Sequence, residues 1–192
     1  MVCAGESMKL VVPSLECLPS YVDALRRGLF PDNARGRQAA QEHLEWIAAD
    51  AEGFLSSLDD PEARGPPFKR MDGELVRRLP SIGRWMWDGE FCGRIGLRWE
   101  NGTASLPPHV LGHIDYAVVP WKRRQGIGTA ALALMLDEAR ARQLPYVEIT
   151  TDPDNIASRR TIEANGGVFI ELFQKGPAYG GGNKMKFRIS LR

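Results

Sequence analysis

Residues 118–131 read VVPWKRRQGIGTAA, and the order of side-chain types in this stretch decides the fold. Two β-branched residues end a strand, Pro120 stops it, three cations follow (Lys122, Arg123, Arg124), and Gly126-Ile127-Gly128-Thr129 opens a helix. Glycine lets backbone N–H groups approach an anion with no Cβ in the way. The first turn of a helix carries unpaired N–H donors and a partial positive charge. Strand, cations, glycines and helix in that order therefore predict a pyrophosphate site, with a further phosphate close by. A P-loop needs Lys and then Ser or Thr after its second glycine, whereas Gly128 is followed by Thr129-Ala130. Gly126-x-Gly128-x-x-Ala131 fits a dinucleotide fingerprint, with Glu148 about twenty residues on. Against it, six residues (120–125) separate the strand from the first glycine, where the dinucleotide turn is almost immediate. The remaining chain is also too short for the parallel units of that fold.

Working outward, Gly112–Val119 reads as the strand entering the turn and Gly126–Gln143 as the helix leaving it. Ala130–Leu136 is apolar nearly all round, which predicts a helix sandwiched in the core. Tyr146–Thr151 reads as a strand, and Asn155–Asn165 as a helix ended by Gly166-Gly167. Val168–Gln174 and Lys184–Leu191 are the last strands, joined by GPAYGGGN. On the upstream side, Gly83–Trp87 and Phe91–Trp99 flank Asp88-Gly89-Glu90, a tight hairpin signal. Residues 59–80, with prolines 61, 66, 67 and 80, read as a long surface loop. Ala40, Leu44, Ile47, Ala51, Phe54 and Leu58 recur at helical steps, predicting one amphipathic helix. Leu15–Leu29 reads as a shorter helix and Lys9–Pro13 as a first strand. The expected fold class is α+β (mixed α/β): one domain over 1–192, with a central mixed, mostly antiparallel sheet and helices on both faces.

The stretch around Arg123, Gly126 and Gly128 resembles the acetyl-coenzyme A motif of the GNAT superfamily of N-acetyltransferases, Arg/Gln-x-x-Gly-x-Gly/Ala. The similarity extends through TTDPDNIASRRTIEANGG (150–167), which resembles the family's following strand and Asn-x-x-Ser helix. Element order matches from about 81 to 175. The DNIASRRTIEANGG ending is similar to a subgroup of uncharacterised bacterial acetyltransferases that carry Gly-His-Ile-Gly-Tyr in the preceding strand. Here that stretch is Gly112-His113-Ile114-Asp115-Tyr116, so Asp115 departs from the pattern.

The resemblance implies acetyl-CoA as co-substrate, no metal, and transfer of its acetyl group to a primary amine of a small molecule or peptide. It implies an acceptor side in 1–80, joined by the Gly176–Asn183 loop, and an acetyl-CoA-binding core in 81–192. Val118 and Val119 would offer backbone groups to the pantetheine arm. The amides of Arg124, Gln125, Gly126, Ile127, Gly128 and Thr129, together with Arg123, would cradle the pyrophosphate. Asn155 would meet the pantetheine, and Ser158 would sit near the sulfur. Many members place a tyrosine acid seven residues after the asparagine; here the residue is Ile162, and water near Ser158 is a substitute.

An attacking amine must lose a proton. Alternation puts His113 and Asp115 on one strand face, with His113 as the first expectation for the base and Asp115 as the second. Glu148 could hold a water for the same purpose. His43 and His109 are expected at the surface. No cysteine lies in the motif region, so direct transfer in a ternary complex is expected rather than an acetyl-enzyme. The alternatives are a non-catalytic coenzyme A sensor or scaffold, and a dinucleotide-binding oxidoreductase.

Composition agrees with these expectations. Lys plus Arg total 25 against 24 Asp plus Glu, a net charge of +1, so nothing points to nucleic acid or an anionic membrane. No apolar run approaches the roughly 20 residues that cross a bilayer. MVCAGESMKLVV lacks the pattern of a secretory signal. Three cysteines (Cys3, Cys17, Cys92) show no metal-type spacing and suit a reducing cytoplasm. The last strand, if exposed, could pair across a homodimer.

Overall fold

The computed structural model describes residues 7–31, 35–69, 73–176 and 181–192. In chain order the elements are β1 (Lys9–Val11), α1 (Leu18–Arg26), α2 (Arg37–Ala49), α3 (Ala51–Ser56), β2 (Phe68–Lys69), β3 (Leu75–Val76), β4 (Ser81–Trp87), β5 (Phe91–Arg98), β6 (Ile114–Val118), α4 (Ile127–Ala141), β7 (Tyr146–Thr151), α5 (Ile156–Ala164), β8 (Val168–Gln174) and β9 (Asn183–Ser190). Residues 177–180 of the expected glycine-rich connection, and Cys3, lie outside the described residues.

The α+β expectation holds, with the strands divided into half-sheets. Strands β1-β4-β5-β6 form one antiparallel sheet and β7-β9-β8 another, while β2 and β3 pair apart from both. Helix α4 packs its buried residues Ala131, Leu132, Met135, Leu136 and Ala139 on Met86, Ile95, Leu97 and Ile114 from one face, and on Val147 and Ile149 beyond. On the opposite face Leu18, Tyr21, Leu25 and Phe54 close over Trp85, Phe91 and Val119. Tyr21 stacks on Trp85 with ring centroids 5.0 Å apart.

Three local readings are corrected. The helix expected across 40–58 is two helices. Asp50 sits between them at φ −156°, and its carboxylate accepts from the Gly53 N–H, so it starts α3 as a cap instead of continuing α2. The loop at 59–80 contains the β2–β3 pair and is anchored by Asp60, whose backbone exchanges two bonds of 2.9 Å with Ser81. Helix α4 is not sandwiched, because Ala133 and Leu134 face solvent and one side alone is buried.

The half-sheets join at one residue. The His113 N–H donates to the Glu148 carbonyl (2.7 Å), and the Glu148 N–H donates to His113 Nδ1 (3.0 Å). On its other side the His113 carbonyl accepts from the Arg98 N–H (2.8 Å). A Cβ on Gly112 would stand 3.0 Å from the Glu148 carbonyl oxygen, so the glycine permits this approach. Beyond the clasp no ladder joins β6 to β7 among the described residues.

Because Nδ1 accepts, the His113 ring is neutral with its proton on Nε2, toward the Ala104 carbonyl. Burial holds its pKa below that of ordinary imidazole, against the opposing pull of Glu148. Below an unfolded pKa of about 6.5 the unfolded chain binds a proton that the folded ring refuses, so stability must fall with acidification. Urea unfolding should therefore show a loss of stability between about pH 7.5 and 5.5. His113→Phe should cost about 2–4 kcal/mol at neutral pH by orphaning the Glu148 N–H, and should flatten that slope. An unchanged slope in a folded variant would contradict the clasp.

Candidate functional site

The cleft opens where β6 and β7 part. The pairing of β6 with β5 sets which backbone edges face it. Val119 N–H donates to the Cys92 carbonyl (2.9 Å) and the His113 carbonyl accepts from Arg98, so odd residues turn their polar groups toward β5. By antiparallel alternation Tyr116 and Val118 turn theirs the other way, into the gap. The Val118 carbonyl there accepts from Arg123 Nε at 3.2 Å. Glu148 faces β6 through its backbone, and the same alternation turns Thr150 into the gap. Of the two valines expected to offer backbone groups, Val118 turns them into the gap. Val119 does not, because its N–H is committed to Cys92 and the residue is fully buried. Tyr116 is the other residue of β6 whose backbone edge turns to the gap, an orientation legible only once the register is known.

At the open end the chain makes a one-turn 3-10 helix over Pro120–Lys122 and then a tight bend into α4. Arg124 (φ +62°) and Gly126 (φ +77°) are both left-handed, and Gly126 is the N-cap of α4. The helical ladder begins with the Ala130 N–H on the Gly126 carbonyl (3.0 Å). Among the described residues, none of the six backbone N–H groups from Arg124 to Thr129 meets a protein acceptor. Successive N–H groups around left-handed residues at a helix N-terminus form a concave anion site. Arg123, Arg124 and Gln125 are exposed around it. Lys122 is not part of this rim: its ammonium pairs with Asp88 (2.8 Å) and Glu90 (2.9 Å) in the β4–β5 turn. The donor set fits a diphosphate, which offers several oxygens to a crowd of N–H groups.

Across the cleft stands the start of α5. Asn155 caps it, its Oδ1 accepting from the Ser158 N–H at 3.0 Å. Ser158 Oγ and the Tyr116 hydroxyl lie 2.9 Å apart. Burial raises the Tyr116 pKa, only partly offset by Ser158 and Thr161, so its phenol stays protonated at neutral pH. Ile162 is fully buried in the core, away from the cleft.

A cavity of about 560 Å³ fills the space between β6, β7 and α5, bordered by Tyr21, His43, Asp115, Tyr116, Thr150 and Ser158 among others. The two residues expected to act as base are both elsewhere engaged. His113 is 1% exposed and its accepting nitrogen holds the Glu148 N–H, so the ring is structural. Asp115 faces the cavity but is ion-paired with Arg94 (2.5 Å) and with Arg98. Burial works against its charge, yet the Arg98 and Arg94 guanidiniums prevail and hold its carboxyl at about 2. A group so acidic is a poor proton acceptor at neutral pH. Glu148 is likewise bound, to Arg188 at 2.6 Å. His43, expected at the surface, instead borders the cavity with Nδ1 2.7 Å from the Tyr21 hydroxyl. No sequence signal distinguished it, since α2 lies seventy residues from the motif strand.

Residues 40–166, about two thirds of the chain, match the family model described as "Acetyltransferase (GNAT) family". No curated protein matches the sequence. Among solved structures the chain is similar to a GNAT-family acetyltransferase from Bacillus anthracis (12% identity, TM-score 0.62, covering 97% of this chain and 96% of that one). It is also similar to Mycobacterium smegmatis RimJ, solved with CoA-disulfide (17%, 0.61, 96% and 82%). A third is the microcin C7 self-immunity acetyltransferase MccE, solved with acetyl-CoA and AMP (12%, 0.62, 95% and 92%). At these identities the likeness is one of fold.

A Cβ at Gly126 would meet nothing within 4 Å, so the glycine answers to its φ of +77° and not to crowding. Gly126→Val should strain the bend by about 1–2 kcal/mol and weaken inorganic pyrophosphate binding about tenfold or more by calorimetry. Gly128→Ala, whose Cβ finds its nearest neighbour at 3.6 Å, should stay within about threefold of the parent. Equal affinities for all three proteins would remove the bend from the anion site.

Proposed function

The chain belongs to the GNAT acetyltransferase family, and from that membership we propose that it transfers an acetyl group from acetyl-CoA to a primary amine, directly, within a ternary complex. The observation carrying the reading is the run of unpartnered N–H groups from Arg124 to Thr129, set at the mouth of a gap whose edges at Tyr116 and Val118 are also unpaired with β7. A diphosphate and an amide-bearing arm are complementary to those two features in turn. Among the described residues the ladders within each half-sheet are antiparallel, which favours acetyl transfer over the dinucleotide-binding alternative.

Acetyl-CoA supplies a thioester, whose carbonyl carbon accepts the amine. The N–H groups of Arg124, Gln125, Gly126, Ile127, Gly128 and Thr129 receive the diphosphate, with the Arg123 and Arg124 guanidiniums adding charge. The Val118 and Tyr116 backbone edges align the arm, and their N–H groups stabilise the negative charge that gathers on the carbonyl oxygen. Asn155 sets the first turn of α5, which brings Ser158 to the cleft. His43 takes the proton from the amine, and Tyr21 orients the ring through their 2.7 Å bond. The Tyr116 phenol, with Ser158 beside it, stands where Ile162 supplies no acid and gives its proton to the departing thiolate.

A covalent acetyl-cysteine is disfavoured by the state of Cys92. Burial pushes its thiol up to about 12, with Asp88 adding to the rise, so almost no thiolate is present. The buried Ile162 favours a second reading, a coenzyme A sensor with no turnover.

Acetyl-CoA should bind, and free thiol should appear when a panel of amines is added. Binding without thiol release across the panel would establish the sensor. For an accepted amine, His43→Gln should lower kcat about a hundredfold or more with acetyl-CoA affinity retained. Tyr116→Phe should lower it by about tenfold or more. Parent-like kcat in both variants would dismiss these proton roles.

A further inference from the structure

A second recess of about 650 Å³ continues from the cleft and shares Leu58, Trp85, Arg94 and Asp115 with it. Its floor is shallow-side-chain sheet: Gly83 of β4 lies opposite Gly96 of β5, which in turn lies opposite Asp115 of β6. A Cβ on Gly83 would stand 2.3 Å from the Leu58 carbonyl oxygen, so that glycine lets the end of α3 rest on the sheet and wall the recess.

The recess is lined by five arginines (Arg77, Arg78, Arg84, Arg94, Arg98) and one carboxylate, Asp115. Some of that charge is answered nearby. Arg84 pairs with Asp59 (3.2 Å) and Arg77 with Glu100 (2.9 Å), while Arg94 and Arg98 share Asp115. Arg78 gives its Nε to the Pro66 carbonyl (2.9 Å) and pairs with no carboxylate among the described residues. Asp60 stands close to Arg78 across Gly65, so five guanidiniums face four carboxylates (Asp59, Asp60, Glu100, Asp115), only one of which lines the recess itself, and the concavity stays net positive. Guanidinium is the side-chain cation whose planar fork matches a carboxylate or phosphate edge to edge. Asp115, gripped from two sides, shows these forks already converging on an oxyanion at the junction of the two cavities. A polycationic amine would meet repulsion here.

We infer that the acetyl acceptor is an amine that also bears an oxyanion, carboxylate or phosphate, seated among these arginines while its amino group reaches the cleft. The inference rests on the acetyl-transfer reading and narrows its substrate.

The test uses the full chain, acetyl-CoA and matched acceptors: phenylalanine against phenylalaninamide for the carboxylate arm, phosphoethanolamine against ethanolamine for the phosphate arm, and spermidine. Thiol release should give a kcat/KM about tenfold or more higher for the anionic member of at least one pair, and the responding arm identifies the oxyanion. Arg78→Gln and Arg98→Gln should each shrink that ratio severalfold, with acetyl-CoA affinity, read by calorimetry, retained. Equal rates within both pairs, or faster turnover of spermidine, would each overturn the inference while leaving acetyl transfer intact; binding of acetyl-CoA with no turnover of any panel member would overturn the acetyl-transfer reading and the inference with it. Failure to bind acetyl-CoA at all would likewise bring down the acetyl-transfer reading.

Discussion

Two hydrogen bonds between His113 and Glu148 determine what the rest of the molecule can be. They hold the half-sheets together through one backbone donor and one imidazole nitrogen, where a ladder would have used a row of peptide groups. Because a side chain takes the place of a peptide partner, pairing stops there, and the strands diverge with their polar edges unspent. Helix α4 then packs on β5 and β6, and its buried side chains share one core with Val147 and Ile149 of β7. The core is continuous under a gap that the backbone leaves unclosed. Unpaired polar edges in a compact fold are expensive unless solvent or a ligand meets them. The cost falls at the gap between β6 and β7, where the proposed reading seats an amide-bearing arm.

Charge divides the same region into three districts. The bend into α4 is positive through its peptide groups, which do not titrate. The arginine recess is positive through side chains that remain protonated at any ordinary pH. Between them the cleft mixes both signs of charge, Arg35, Arg94 and Lys184 with Asp115 and Asp152, around two phenols, an imidazole and a serine hydroxyl. The proposed proton transfers fall in the middle district, and the proposed anion sites in the outer two.

Much of this was legible from residue types. The bend could be read because its determinants are local: Pro120 ends a strand, Gly126 needs left-handed backbone, and helix-forming residues follow. The Asn155 cap is local in the same way. What escaped depended on register and on distance along the chain. Whether Val118 or Val119 turns its backbone to the gap is decided by which residue of β5 stands opposite, and strand alternation alone does not supply that. His113 reads as a base because it is an imidazole on the motif strand, but the partner of its ring comes from β7, thirty-five residues away. His43 reads as a surface residue in the sequence, because α2 comes to the cleft through the packing of α1 and α3 on Trp85 and Phe91. The break at Asp50 was hidden by an apolar rhythm that runs through both helices unchanged. The arginines of the recess sit on separate elements and form no motif.

Lys122 looks interchangeable with its arginine neighbours in the sequence, yet it bolts the bend to the β4–β5 turn through Asp88 and Glu90. That attachment gives the three positions a common fate during divergence. Arg123 and Arg124 pair with no carboxylate among the described residues, Arg123 reaching only the Val118 carbonyl, so another cation at either position would leave no acid stranded. A neutral residue at 122 would strand two acids beside each other, so losses there should be inherited together with losses at 88 and 90.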